Sequence, residues 1–135
     1  MAILSNSTTA GDPPVRDALR LLDVRIMKLD AGSDAALTRF NRPRSRVGTE
    51  QLVEWLAALG GVTVQALFAG GPAGNSGEAD VAAWEEALTR VRPVAVQVYS
   101  LDRDTPSRDI LRLDASALRS IAGRLVARGI EARAF

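Results

Sequence analysis

The sequence contains neither cysteine nor histidine. That excludes disulfides, thiolate zinc sites, iron–sulfur ligation by this chain alone, and any triad or metal site built on imidazole. Charge of one sign is also missing: 17 Lys and Arg stand against 16 Asp and Glu, a net charge of +1. No global field therefore favours nucleic acid or an acidic membrane. No apolar run approaches the roughly 20 residues that a bilayer span needs. Met1 to Ala10 lacks the basic start and long apolar stretch of a secretion signal. The expectation is a cytoplasmic protein with no membrane partner.

What is present is the balance of one globular domain. The 135 residues are 47% hydrophobic and 24% charged, and a chain of this length buries roughly two thirds of its unfolded surface without staples. Short Val-, Ile- and Leu-rich runs alternate with segments whose apolar residues fall at helical spacing. The runs at 2–6, 24–31, 62–69, 94–101 and 130–135 predict strands. Stripes at Val15/Ala18/Leu19/Leu22, Leu52/Trp55/Leu56/Leu59, Val81/Trp84/Leu88/Val91 and Leu118/Ile121/Ala122/Leu125 predict the helices between them. Both tryptophans fall on these stripes and are expected to pack. Gly60-Gly61 and Gly129 are expected to end helices, Asp114 to cap the last one, and Pro13-Pro14 to open the first. The reading is α/β: an incomplete (βα)n barrel with about five mostly parallel strands and about four main helices. Because the first predicted strand begins at Ala2, the expectation is a single domain, 1–135, lacking its first βα units and exposing an edge strand.

Strand alternation places Val24, Ile26, Lys28 and Asp30 on one face and Met27, Leu29 and Ala31 on the other. Likewise Thr63, Gln65 and Leu67 oppose Val62, Val64, Ala66 and Phe68, and Gln97 with Tyr99 opposes Val94, Val96 and Val98. In barrel-like α/β folds the apolar face meets the helices and the carboxyl ends of the strands carry the site. Lys28, Asp30, Gln65, Gln97 and Tyr99 are then expected to converge. The structural alternative is a satisfied Lys28–Asp30 ion pair ringed by the amides of Gln65 and Gln97.

Two further features have competing readings. The loop from Gly70 to Gly77 follows a strand and opens a helix, where backbone amides can hold an anion. It lacks the ending of a P-loop and the Rossmann fingerprint, so a flexible loop with an Asn or Ser cap is the favoured reading. Arg39, Arg42, Arg44 and Arg46 surround Phe40, a pattern some nucleic-acid sites use. With the rest of the chain near neutral, a solvated loop is favoured and nucleic acid is a minor reading.

The ordered segments Ile3-Leu4-Ser5-Asn6-Ser7-Thr8, Pro14-Val15-Arg16, Lys28-Leu29-Asp30-Ala31-Gly32 and Phe40-Asn41-Arg42-Pro43 resemble radical SAM proteins. The branch they resemble is that of the tRNA wyosine-synthesis enzymes and their relatives. The similarity continues through Glu50-Gln51-Leu52, Phe68, Asn75-Ser76, Val96-Gln97-Val98 and Asp102-Arg103. The resemblance implies a partial barrel with a 4Fe-4S cluster and S-adenosylmethionine at the carboxyl ends of the strands. The family's Cys-x-x-x-Cys-x-x-Cys loop and Gly-Gly-Glu-Pro-like segment are absent here. The chain is therefore expected to start at the family's third strand, to be inactive alone, and to need the missing N-terminal barrel part or a Cys-containing partner chain.

By matching positions, the resemblance places Ser5 and Asn6 near the cofactor's methionine and ribose, and Lys28 and Asp30 facing cofactor or substrate. Gln65 and Gln97 join this candidate cofactor-binding set; catalytic residues are unassigned and no metal ligand is expected. Many relatives carry Ser where Lys28 stands, and glycyl-radical activating enzymes combine Asp and Lys in the reverse order. The rival functions are a cluster-free α/β binding module for a small polar ligand and a structural homodimer joined through the first strand.

Overall fold

A computed structural model describes residues 2–5, 7–41, 47–102 and 108–135. The elements run β1 (Ala2–Ser5), α1 (Pro13–Arg20), β2 (Val24–Lys28) and α2 (Asp34–Ala36), which passes into a π-helical turn at Leu37–Asn41. They continue with α3 (Thr49–Leu59), β3 (Val62–Leu67), β4 (Ala69–Gly70), α4 (Glu78–Val91), β5 (Ala95–Tyr99), β6 (Leu111–Arg112), α5 (Ala115–Ala127) and β7 (Ala132–Ala134).

The main sheet has five strands in the order β1-β2-β3-β5-β7, and every neighbouring pair is parallel. A doubly wound sheet reverses its strand order at a switch point; this one never reverses, so it is a singly wound α/β arc of the barrel kind. The burial pattern agrees. Met27, Val62, Val64, Ala66, Val96 and Val98 are fully buried and share the sheet face that the helices cover, while Lys28, Gln65, Gln97 and Tyr99 on the other face are half-buried.

Each long helix follows from its sequence. Pro13 opens α1, its fixed φ suiting the first turn, and Leu19 is its buried anchor. Asp34 caps α3 from outside that helix: its Oδ1 accepts from Thr49 N at 2.8 Å and Thr49 Oγ1 at 2.9 Å. Those two bonds, the backbone one first, hold the Asp34 carboxyl below its ordinary pKa. Asp114 Oδ1 accepts from Ala117 N at 2.8 Å, the cap expected for α5. Gly60 and Gly129 adopt positive φ, +69° and +82°, at the ends of α3 and α5.

The two tryptophans pack as expected. Trp84 is fully buried and meets Phe68 edge to face, with ring centroids 4.8 Å apart. Trp55 is half-buried against the core, and a Cβ on Gly11 would lie 2.1 Å from its indole. Helices α4 and α5 are tied by charge. Buried Glu85 pairs with Arg124 and, at 3.1 Å, with Arg128, while Arg124 also grips Glu78 with bonds of 2.8 and 2.9 Å. The Glu78 contact is the main reason the Arg124 pKa lies above its ordinary value.

Two features were not foreseen. One is the antiparallel ribbon of β4 and β6, pairing Ala69 with Arg112 and Gly70 with Leu111; strands this short carry no alternation to read. The other is the short helix and π turn over residues 34–41, where Ser33 Oγ accepts from Ala36 N at 3.2 Å.

Candidate functional site

The parallel register sets Lys28 beside Gln65, Gln65 beside Gln97, and Gln97 beside Arg133. Residues in register share a face, so a polar row crosses four strands near their carboxyl ends, with Tyr99 two residues further along β5. Lys28 Nζ donates to Tyr99 Oη at 2.6 Å, reaching over β3. The ammonium is 5.3 Å from the ring centroid, and with so short an N···O contact it must sit out beyond the hydroxyl. The contact is a hydrogen bond to oxygen, not a cation above the ring. Gln65 Nε2 donates to Gln97 Oε1 at 3.2 Å.

Burial is the largest influence on Lys28 and disfavours its charge. The hydrogen bond to Tyr99 and the attraction of Asp30 outweigh it, so the pKa lies above its ordinary value. Lys28 is an ammonium across the physiological range.

The end of β2 is fixed by side chains from three other segments. Lys28 O accepts from Ser7 Oγ at 2.7 Å, Leu29 O from Trp84 Nε1 at 2.8 Å, and Asp30 O from Asn75 Nδ2 at 2.8 Å. Beyond the last ladder bond such carbonyls have no strand partner, and buried ones must find another. Asp30 itself turns Oδ1 to Leu67 N at 2.8 Å, so its carboxylate extends the ladder onto β3 as well as attracting Lys28. Asn75 is buried and does more: Nδ2 also donates to Leu67 O at 2.8 Å, and Oδ1 accepts from Ala69 N at 2.9 Å.

The segment between β4 and α4 is therefore no flexible loop with a polar cap. Asn75 staples strand ends, and the N-cap of α4 is Gly77 with no side-chain bond. A Cβ on Gly74 would lie 2.3 Å from Ala69 O, so only glycine lets the backbone pass there. Ser100 plays the matching part after β5: its Oγ donates to Phe68 O at 2.6 Å and accepts from Leu113 N at 3.0 Å.

Above this rim lies a cleft of about 590 Å3, walled by Gln65, Gln97, Tyr99 and Ser100 from the strand ends. Leu101, Asp102, Arg112, Leu113, Ala115, Leu118 and Phe135 complete it. Of the candidates from sequence, Lys28, Asp30, Gln65 and Gln97 come together at this end of the sheet. Ser5 registers with Met27, on the helix-covered face, and its Oγ accepts from Ser7 N at 3.2 Å. Asn6 lies outside the described residues, as do Arg42, Arg44 and Arg46. Arg39 is engaged by Asp80 and donates to Gly74 O at 3.2 Å, which leaves it anchored to the fold instead of offered to a phosphate. Tyr99, expected to converge with Lys28, Asp30, Gln65 and Gln97, lines the cleft, and Arg112 reaches it without having been singled out. The alternation on β5 had placed Tyr99, whereas Arg112 follows from the unforeseen ribbon.

No family model and no curated protein matches the chain. Solved structures do. A radical SAM methyltransferase from Sphaerobacter thermophilus superposes with a TM-score of 0.71 at 18% identity, over 99% of this chain. A domain of the pyruvate-formate lyase-activating enzyme from Bacteroides vulgatus ATCC 8482 superposes with a TM-score of 0.74 at 11% identity, over 99% of this chain and 80% of its own.

The chain has the α/β fold of radical SAM structures. It spans 39% of the methyltransferase's length.

Among the described residues no helix is long and apolar enough to cross a membrane, and no group of acidic, Cys or His side chains is placed to hold a metal. With no cysteine in the sequence, these residues do not fit a 4Fe-4S cluster. The cleft's hydroxyl, amide and charged donors do fit a polar cofactor such as S-adenosylmethionine.

Proposed function

We propose that this chain forms the later βα units of a radical SAM-type partial barrel. In this reading the cleft at its strand ends takes S-adenosylmethionine or the substrate that reacts with it. The observation that carries the reading is that Gln65, Gln97 and Tyr99, in a polar row that begins at Lys28, line an open cleft on a singly wound parallel sheet. Lys28 and Asp30 would lie towards the cofactor or substrate, Gln65 and Gln97 would hydrogen-bond it, and Ser5 and Asn6 complete the set by motif alone. S-adenosylmethionine supplies radical chemistry through reductive cleavage at its sulfonium. That needs a cluster whose ligands this sequence lacks, so a Cys-containing partner chain or further barrel units would provide them, docking along the edge strand β1. The tRNA wyosine-synthesis-like branch rests on the motif order.

A specific observation favours a second reading, a cluster-free binding module for a small polar ligand. Lys28, Gln65, Gln97 and Asn75 bond to partners within the chain itself, so the rim is organised without a cofactor. Calorimetric titration with S-adenosylmethionine separates the readings. Binding that Lys28→Ala and Asp30→Ala weaken supports the first; no binding, with stabilisation by other small polar molecules, supports the second. A dimeric mass in solution would instead favour two β1 edges paired together.

A further inference from the structure

An ammonium has donors and no acceptor, so the bond from Lys28 occupies a lone pair of Tyr99 Oη and leaves the phenolic proton uncommitted. Among the described residues nothing accepts that proton. Beside it, the Gln65–Gln97 pair uses one amide nitrogen and one amide oxygen on each other. Whichever way the two amides are turned, one N–H edge and one oxygen remain. The cleft therefore offers a hydroxyl donor and an amide donor on neighbouring positions, with a cation fixed behind the hydroxyl.

Other charges in reach are nearly balanced. Arg112 and Asp102 both line the cleft, and Asp30 commits one oxygen to Leu67 N. The Asp30 carboxylate attracts Lys28, so the ammonium adds no net charge, and the surplus of donors is centred on Tyr99 and the Gln65–Gln97 pair. A planar group with two acceptor oxygens and one negative charge answers that arrangement, because charge-assisted donation to an oxyanion is stronger than donation to a neutral oxygen.

We propose that Tyr99 and the Gln65–Gln97 pair form a recognition point for the carboxylate of a small ligand. Tyr99 O–H donates to one carboxylate oxygen and the amide N–H to the other. Lys28 is a positioning residue, which aims the hydroxyl without touching the ligand. The inference rests on the reading of the cleft as a ligand pocket. The carboxylate comes either from the amino-acid part of S-adenosylmethionine or from a separate organic acid.

Tyr99 is the single tyrosine of the chain, so tyrosine labelled with 13C at the ring carbon bearing the hydroxyl gives one resonance that reports this site. Titration of the full chain with acetate should move it saturably, while chloride at equal ionic strength should not. Lys28→Met should weaken the acetate response on the order of tenfold, and Lys28→Arg should restore much of it. Thermal melting of each variant checks that it is folded.

Competition identifies the source. Displacement of acetate by S-adenosylmethionine but not by methylthioadenosine assigns the carboxylate to the cofactor, and retention of acetate beside S-adenosylmethionine assigns it to a separate acid. A Tyr99 resonance blind to acetate, with calorimetric binding of S-adenosylmethionine intact, overturns the carboxylate inference and leaves the pocket reading standing. Absence of binding by either molecule overturns both.

Discussion

Lys28 on β2 and Tyr99 on β5 are bonded at 2.6 Å although β3 runs between their strands. The register explains the reach: Lys28 pairs with Gln65 and Gln65 with Gln97, so the long side chain has only to lean over one short row to meet the next outward-facing residue of β5. A Lys stem covers such a distance while its head stays hydrogen-bonded.

That bond has a pH signature. The Lys28 pKa is raised above 10.5, so its contribution is fully present below the unfolded value and is lost as pH rises through the higher folded value. Urea denaturation of wild type and Lys28→Met should give a stability difference that is constant up to about pH 9 and shrinks only in stronger alkali. A difference that instead vanished between pH 6 and 8 would show that another group governs Lys28.

Asn75→Ala deletes a buried amide and strands Asp30 O, Leu67 O and Ala69 N. Leaving such groups unpaired costs about 1–3 kcal/mol each when they stay dry, and water entering at the rim relieves part of it, so a total of about 3 kcal/mol is expected. Denaturant midpoints measure it. A loss below about 0.5 kcal/mol, the usual limit for surface changes, would mean that Asn75 does not hold the strand ends.

Glu85 is the buried hinge of the α4–α5 ion network, while Arg124 and Arg128 keep part of their surface in water. Glu85→Ala should cost about 2 kcal/mol, as for hydrogen bonds to charged groups. A double-mutant cycle with Arg124→Ala should return positive coupling. Strict additivity in that cycle would rule out the pairing as a source of stability.

Two glycines should respond with opposite signs. A Cβ on Gly32 would lie 2.3 Å from the backbone of Ala83 and Trp84, so Gly32→Ala forces α4 away from the end of β2, at about 1–3 kcal/mol. Gly123 lies inside α5 with nothing within 4 Å of its added Cβ, so Gly123→Ala should stabilise by about 0.5–1 kcal/mol. Melting curves of both variants decide the matter, and equal signs would contradict the packing of α4 against this loop.

The strands and long helices were legible because burial imposes a period on the sequence. Val62, Val64, Ala66 and Phe68 alternate with Thr63, Gln65 and Leu67, and the fold uses that alternation directly. The same pattern placed Lys28, Gln65 and Gln97 on one face. It could not reveal bonded partners, since register depends on neighbouring strands: the Lys28–Tyr99 hydrogen bond and the placing of Ser5 with Met27 emerge only in three dimensions. Asn75 resembled a cap by composition, because an Asn ahead of a helix looks the same whether it serves that helix or the strands behind it. The β4–β6 ribbon was hidden by its length.

The unreversed strand order also has a kinetic consequence. Each strand of the main sheet lies beside the next main-sheet strand along the chain, so forming the sheet requires closing one βα loop at a time and no excursion across the whole molecule. Loop-closure entropy rises with the length of chain closed, so pairing successive strands costs less than pairing strands from opposite ends of the chain would. A polypeptide emerging from the ribosome can lay down this sheet in the order in which it is synthesised, each new unit docking on the one before.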